Sequence, residues 1–421
     1  MKIKRFLDYI NENQDKHKNQ KKLDLFSIIT EEKITHLTHL EDLVLFEGKK
    51  GANKILNILK NVYNDIKKHK TTKAQIKVDG SVSIIVGTNP ENNKKFIATK
   101  SLFNKTPKIN YTEEDIERNH GHAPGLVKVL KIGLKYLPDT VKKGILQGDL
   151  MYIKEQLKIT KMENQKGVLF TPNTITYFVP ETTPLYKKII NSKIGVVWHT
   201  FYTGDTIESL SASFNVNNNM IKSTKDAYVK TPLVKLDQLG WSKEEDKIIQ
   251  NNLKILEEDI QKINWSYVKE IIQSDYSKYI PIYMNQKVKD NKKSVKNEIK
   301  EFIDYIILKY EKDIEKLKTP KGKAKKREQL KSLINKMSKN AGTLYRLFQF
   351  MYSVEAVKDI FVSKMNQIKF GVITYQKTEN GYVPTDYEGW VISDGENNVK
   401  FVNRAVFSKA NFFNTRLKGK Q

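Results

Sequence analysis

Apolar positions at helical spacing open the body of the chain. Ile55, Leu56, Ile58, Leu59 and Val62 share one face and predict an amphipathic helix over 54–66. An apolar run with glycine punctuation, 74–87, then predicts strand structure, and a further strand is expected at 95–100 after the turn-rich segment TNPENN. A helix over 125–136 and strands near 144–153, 174–179 and 195–202 complete an α/β pattern that extends over 21–235. Between 236 and 352 the texture changes. Helical periodicity runs through 241–272, 295–318, 325–337 and 343–352, while β-branched clusters and glycine become scarce. Strand patterning returns in FGVITYQ, EGWVIS and VKFVNRAVF, within 353–421. The economical account is one α/β fold interrupted by an all-helical insertion, because three short strands in 70 residues would make a thin core of their own. Residues 1–20 stand apart, as a short amphipathic helix with Ile3, Phe6, Leu7 and Ile10 on one face, followed by a polar tether.

Composition narrows what such a fold can do. The 421 residues carry 74 Lys+Arg against 48 Asp+Glu, a formal net charge of +26, with 39% apolar residues. That apolar share excludes a disordered basic tail, and the charge favours a folded protein with a polyanionic partner. Only six of the basic residues are arginine, and lysine is a point charge where arginine is a bidentate fork, so the charge points to phosphate contact more than to base readout. There is no cysteine, which removes disulfides, thiolate nucleophiles and iron–sulfur or cysteine zinc sites. No apolar run approaches the roughly 18 residues of a membrane span, and no secretory signal opens the chain, so the expected location is the cytoplasm and no membrane partner is expected. His120–Gly121–His122 and the pair His36 and His39 lack acidic partners at metal-ligand spacing. A phosphate-binding loop and a G-x-S-x-G elbow are both missing.

Two places in the chain set basic residues where they could do chemistry. Over 316–331 there are eight basic residues against one glutamate, among them Lys321, Lys323, Lys325, Lys326 and Arg327, which read as either a solvated helix face or a phosphate-contacting patch. The second place is Ala74–Gln75–Ile76–Lys77–Val78–Asp79–Gly80–Ser81, where a lysine ends a strand and a tight Asp-Gly turn follows. A lysine there is either a charged cap on a hairpin or, if desolvated beside other cations, a neutral amine able to act as a nucleophile. Three later segments supply what such a nucleophile would need. GILQGDLMY places Asp149 on a strand, EGWVI places Glu388 before a glycine, and NVKFVNR sets Lys400 among apolar residues. Carboxylates can hold a hard divalent cation and lysines can clamp phosphate oxygens.

Together and in this order these segments resemble the covalent nucleotidyltransferase superfamily of ATP-dependent DNA and RNA ligases and mRNA capping enzymes. KVDGS resembles its motif I, ATKSLFNK motif Ia, QGDLMY motif III, VVWHTFY motif IIIa, EGWVI motif IV and VKFVNR motif V. The resemblance covers roughly 70–205 and 368–408. It implies an adenylation domain with antiparallel sheets, taking ATP and Mg²⁺ and acting on nucleic acid with 5′-phosphate and 3′-OH ends. Lys77 would attack the α-phosphate to give a lysyl–AMP phosphoramidate. Glu388 and Asp149 would serve the metal, Asp149 alternatively the ribose. Lys400 would neutralise the α-phosphate. Ile76, Asp79, Gly80, Ser81, Lys400 and Arg404 would form the nucleotide site, with Phe201 or Tyr202 either stacking on adenine or lying in the core. Lys100 and Lys105 would meet the 5′-phosphate of the nucleic acid.

The sequence departs from the pattern at several points. Val82 stands where DNA ligases and capping enzymes usually have arginine, and Ser81 is closer to the RNA-ligase form. Asp149 replaces the usual glutamate, and Lys400 is followed by Val402 and Arg404 instead of a second nearby lysine. About 17 residues follow motif V, so no OB-fold domain is expected, and the basic helical insertion is the candidate clamp on nucleic acid. These departures keep a second expectation open, a nucleic-acid-binding protein on a ligase-like scaffold without catalysis; transfer to another acceptor from GTP is a third. At the N-terminus, MKIKRFLDYINE resembles the capsid-targeting leader of internal head proteins of large contractile-tailed phages, which implies cleavage after Glu12 and packaging in the virion. Its other reading is a helix docked on the body.

Overall fold

Among the residues that the computed structural model describes, 37–70, 73–214, 216–274, 276–289, 297–393 and 398–403, sixteen strands form three sheets and ten α-helices accompany them. The chain is mixed α/β and its sheets are predominantly antiparallel. It divides into two units. One takes in Leu40–Asn61 and Lys243–Val357 and is helical; the other holds Val62–Ser242, the strands after Lys358 and the short β1 (Thr38–His39), and contains all three sheets. Among the described residues no helix is long and apolar enough to cross a membrane. The leader segment with Glu12, His36 and Arg404 lie outside the described residues.

The first sheet has the order β1-β16-β15-β2-β12, where β2 is Lys73–Lys77, β12 is Leu233–Lys235, β15 is Gly389–Ser393 and β16 is Asn398–Phe401. Strands from both sides of the helical segment are therefore direct neighbours: Gly389 sits opposite Lys77, and Val391 opposite both Gln75 and Lys400. The second sheet runs β10-β9-β5-β3-β4, with β3 at Ser83–Thr88, β4 at Lys95–Ala98, β5 at Ile145–Ile153, β9 at Ile194–Thr203 and β10 at Ser211–Ser213; β11 (Ala227–Lys230) pairs parallel to β9. The third has the order β14-β13-β8-β7-β6, built from Lys158–Met162 (β6), Gln165–Phe170 (β7), Ile175–Pro180 (β8), Ile373–Thr378 (β13) and Gly381–Pro384 (β14).

The apolar run 74–87, read as strand with glycine punctuation, is divided between two sheets, because β2 and β3 do not pair with each other. The cause lies in the turn between them. Buried Asp79 accepts hydrogen bonds from Asn173 Nδ2, Thr174 Oγ1 and the backbone N–H groups of Thr174 and Ile175, while its own N–H donates to Tyr177 Oη at 2.8 Å. These bonds tie the turn to the start of β8. Gly80 then passes so close to β5 that a Cβ on it would stand 2.5 Å from Asp149 Cβ, and Ser81 N donates to Leu150 O at 3.0 Å. Ile84, Val86, Leu146 and Trp198 of the second sheet bury one face against α3 (Pro124–Tyr136), through Val127 and Leu130 among others.

In the helical unit, α5 (Lys243–Lys262) buries Ile249, Leu253, Leu256 and Ile260, the four-then-three spacing of a single-sided helix. The same logic gives α8 (Glu298–Glu315) the buried row Phe302, Ile306, Tyr310 and Ile314. Next in the chain comes α9 (Pro320–Lys339), which carries the basic run and packs on α8; Lys326 lies over the Tyr310 ring at 4.8 Å.

Candidate active site

Side-chain alternation along β2, β15 and β16 brings Gln75, Lys77, Val391 and Lys400 to one face of the first sheet. With Asp149 and Gln147 of β5, His199 and Tyr202 of β9, Ser83 and Lys100, they line one cavity of about 230 Å³ in the α/β unit. Three lysines and one carboxylate thus share a space lined by both sheets. Ile76 also lines it. Lys100 stands in the short turn Lys100–Phe103, whose start is capped by Thr99 accepting from Ser101 N.

Glu388 is held beside the nucleophile candidate by its glycine neighbour. Gly389 has φ +146°, and a Cβ there would stand 2.7 Å from Val402 Cγ2, so only glycine lets the strand turn the carboxylate toward Lys77. Lys77 Nζ donates to Glu388 Oε1. Lys77 opens to the larger cavity, while Glu388, 9% exposed, lines a second one of about 100 Å³ with Asp386, Asn403 and Thr174. Burial pushes the Glu388 carboxyl up to about 7, against the pull of Lys77 and Lys400, with Asp79 adding to the rise. A carboxylate at that value, bonded to an ammonium, is placed to take a proton near neutral pH.

The other expected residues fall in different places. The carboxylate of Asp79 is occupied by four donors and acts on the turn, not on a ligand. Gly80 supplies close approach to Asp149, and Ser81 is exposed. Phe201 does not line the cavity: its ring covers Gly144, where a Cβ would be 2.2 Å away, and it packs on the core. Tyr202 belongs to a core cluster and shows one edge to the cavity. Burial holds its phenol up at about 12, and its hydroxyl donates to Gln147 Oε1 at 2.5 Å. Lys105 is exposed and outside the cavity. On α9, Lys321 and Lys325 are exposed; Lys326 covers Tyr310, and Arg327 approaches Glu311 at 3.9 Å.

Sequence reasoning did not single out His199. Its Nε2 lies 3.6 Å from Asp149 Oδ1 and its Nδ1 is 2.8 Å from Thr200 Oγ1, which makes it a polar partner for Asp149 within the cavity. Gln147, bonded to both Ser83 and Tyr202, was equally unmarked. The signal available for both was a polar residue on a largely apolar strand.

Among the described residues no group of three or more Asp, Glu or His stands together as a cation cage. Asp149 and Glu388 line different cavities, and each already meets a basic group. A magnesium ion that is held through phosphates needs only one or two protein carboxylates.

The raised carboxyl of Glu388 has a consequence for stability. An acid whose value is about 7 in the folded chain and 4.5 when unfolded contributes stability that is complete below about pH 4.5 and is lost as pH rises through about 7. Glu388→Gln removes that dependence. The melting temperature of the variant relative to the parent should rise between pH 5 and pH 8, by the equivalent of on the order of 2 kcal/mol. A difference that stays flat with pH would show that the carboxyl is not perturbed.

The profile of one protein family, described as a family of unknown function (DUF6267), matches residues 34–416. No curated protein and no solved structure matches the chain.

Proposed function

Since the chain belongs to the DUF6267 family, whose function is unknown, its chemistry rests on the cleft, and we propose that it is an ATP-dependent polynucleotide ligase working through a lysyl–AMP intermediate at Lys77. The observation that carries this reading is the meeting of Lys77, Lys400, Lys100 and Asp149 in one cavity, with Glu388 bonded to Lys77. A triphosphate needs several cations, and a lysine can attack phosphorus only if a neighbour takes its proton. Both requirements find residues here.

In this reading Glu388 Oε1 accepts a proton from Lys77 Nζ. The freed lone pair attacks the α-phosphorus of ATP; a P–N bond forms, the P–O bond to pyrophosphate breaks, and pyrophosphate leaves with the electron pair. The nitrogen then sheds a second proton to water, leaving a phosphoramidate whose nitrogen is neutral and whose phosphoryl group keeps one negative charge. Lys400 and Lys100 hold phosphate charge as it shifts toward the leaving group. Magnesium brought by the triphosphate would lie within reach of Asp149 or Glu388 and would further neutralise the phosphates. His199 orients the Asp149 carboxylate. The stored AMP passes to a 5′-phosphate and is displaced when a 3′-OH attacks. Labelled ATP tests the first step: the chain should take up label that survives denaturation, and a well-folded chain that takes up none overturns the reading.

One contact with the polymer is assigned to the helical unit. Over 316–346 there are eleven basic residues and one acidic, and Lys321 and Lys325 of α9 are exposed. If they neutralise phosphates, Lys321→Glu with Lys325→Glu weakens binding and flattens the plot of log affinity against log salt by about 1.5, since each phosphate contact contributes roughly 0.7–0.9 to that slope. An unchanged slope would place the polymer elsewhere. Salt-sensitive binding in a chain that forms no adenylate would favour a binding protein without catalysis.

A further inference from the structure

A third cavity shares walls with the cleft and differs from it in character. Its volume is about 130 Å³ and six rings line it: Tyr152, Phe170, Tyr177, Tyr228, Phe370 and Tyr387. Ile76, Val78, Val197 and Pro232 face both spaces, so the strand that carries Lys77 divides them. Three of the phenols turn their oxygens to other partners. Tyr152 pairs with Ser192, Tyr177 with the Asp79 N–H, and Tyr387 with Val372 O. What they offer the cavity is ring carbon.

The polar groups stand at one side. Lys230 and Thr231 line it there, and Lys188 is close enough to act on Lys230 by charge. Desolvation first, and then the like charge of Lys188, hold the Lys230 amine below the usual lysine range. A bound anion relieves both. Size narrows the ligand further, because a dry cavity of about 150 Å³ holds a single benzene-sized ring.

From this geometry we infer that the chamber holds one pyrimidine base of the polynucleotide strand, its phosphate lying on Lys230 at the rim. The inference rests on the reading of the cleft as a ligase site. The apolar C5–C6 edge of a pyrimidine matches the ring-lined interior, and its polar edge remains by Lys230 and Thr231. Stacking of this kind tolerates either sugar. It needs a base that is not paired, which makes the substrate a single-stranded end or a frayed one.

The test uses the full chain, without ATP, and a 5′-phosphorylated pentanucleotide carrying one central 4-thiouridine or 4-thiothymidine. On irradiation the crosslink is expected on Tyr228, Phe370 or Lys230 by peptide mass spectrometry. Leu185→Trp, which fills the cavity, and Lys230→Glu, which changes only its rim, are each expected to weaken pentanucleotide binding about tenfold and to remove that crosslink. Crosslinks elsewhere, or pocket crosslinks indifferent to both variants, overturn the inference. Equal affinity for 4-thiouridine 5′-monophosphate and the strand overturns the assignment to a polymer. Adenylation is scored on the same preparation: a chain that labels with AMP and shows no pocket crosslink refutes the pocket alone. One that crosslinks in the pocket and takes no label refutes the ligase reading and leaves the base site standing.

Discussion

Incubated with α-labelled ATP and magnesium, the chain should take up label that survives denaturation, is stable to base and is released by acid, as a phosphoramidate is. Lys77→Arg should reduce that label by at least about 10³-fold. Arginine keeps the positive charge and can still face Glu388, but it is always protonated in proteins and offers no lone pair. The comparison therefore separates a nucleophile from a phosphate clamp, which Lys77→Ala could not do. If Lys77→Arg labels like the parent, or a well-folded parent takes no label, Lys77 is not the nucleophile. Lys400→Ala serves as the complementary case. It should slow label uptake without abolishing it, because a clamp lowers the barrier and does not form the bond.

The largest expected loss of stability lies in the helical unit. Lys287 of α7 (Tyr279–Lys289) and Glu298 of α8 have side chains only 7% and 0% exposed and are bonded to each other. Tyr352 Oη donates to Glu298 at 3.0 Å, and the rings of Tyr283 and Tyr352 flank the lysine at 5.7 and 5.9 Å. Glu298→Ala removes the fully buried carboxylate from that ammonium, while Glu301, 3.4 Å away, is partly exposed. The cost should be about 3–5 kcal/mol, or on the order of 10 °C in melting temperature. The pair of changes Lys287→Met and Glu298→Leu should recover most of it, since a buried ion pair is little better than packed hydrocarbon. If the single change costs no more than the double one, the pair is not isolated from water.

How far a sequence shows such a molecule depends on the span of each interaction. The strands bearing Lys77, Asp149 and Lys400 can be read from local alternation and turn residues; that they belong to one site followed only from a resemblance, because Asp149 and Lys400 lie 72 and 323 positions beyond Lys77. Asp79–Gly80 looks like the tip of a hairpin, yet its partners at 173–175 are some 95 positions away and turn it into a crossing between sheets. His199 and Gln147 interrupt largely apolar strands, as solvent-facing positions do, and the face they occupy is a cavity wall. Helix α10 (Ala341–Met365) was legible only over 343–352. Leu344, Phe348, Met351 and Val354 are buried, and so are Leu347, Phe350, Val357 and Phe361, so burial on several sides blurs the contrast on which periodicity depends. In α7, Pro281 in the first turn reads as a break, although proline is tolerated there.

The pairing of β2 with β15 has a consequence in time. Lys77 and Glu388 are 311 residues apart, with the whole Lys243–Val357 segment between them. At roughly 5–20 residues per second, a ribosome needs about 15–60 s to go from the codon of one to that of the other. Through that interval the edge of β2 that β15 will cover stays open in the nascent chain, and Lys77 has neither Glu388 nor Lys400 beside it. On the ligase reading, adenylation therefore waits until the last strands have left the ribosome, and helices of the insertion have time to form while the sheet waits.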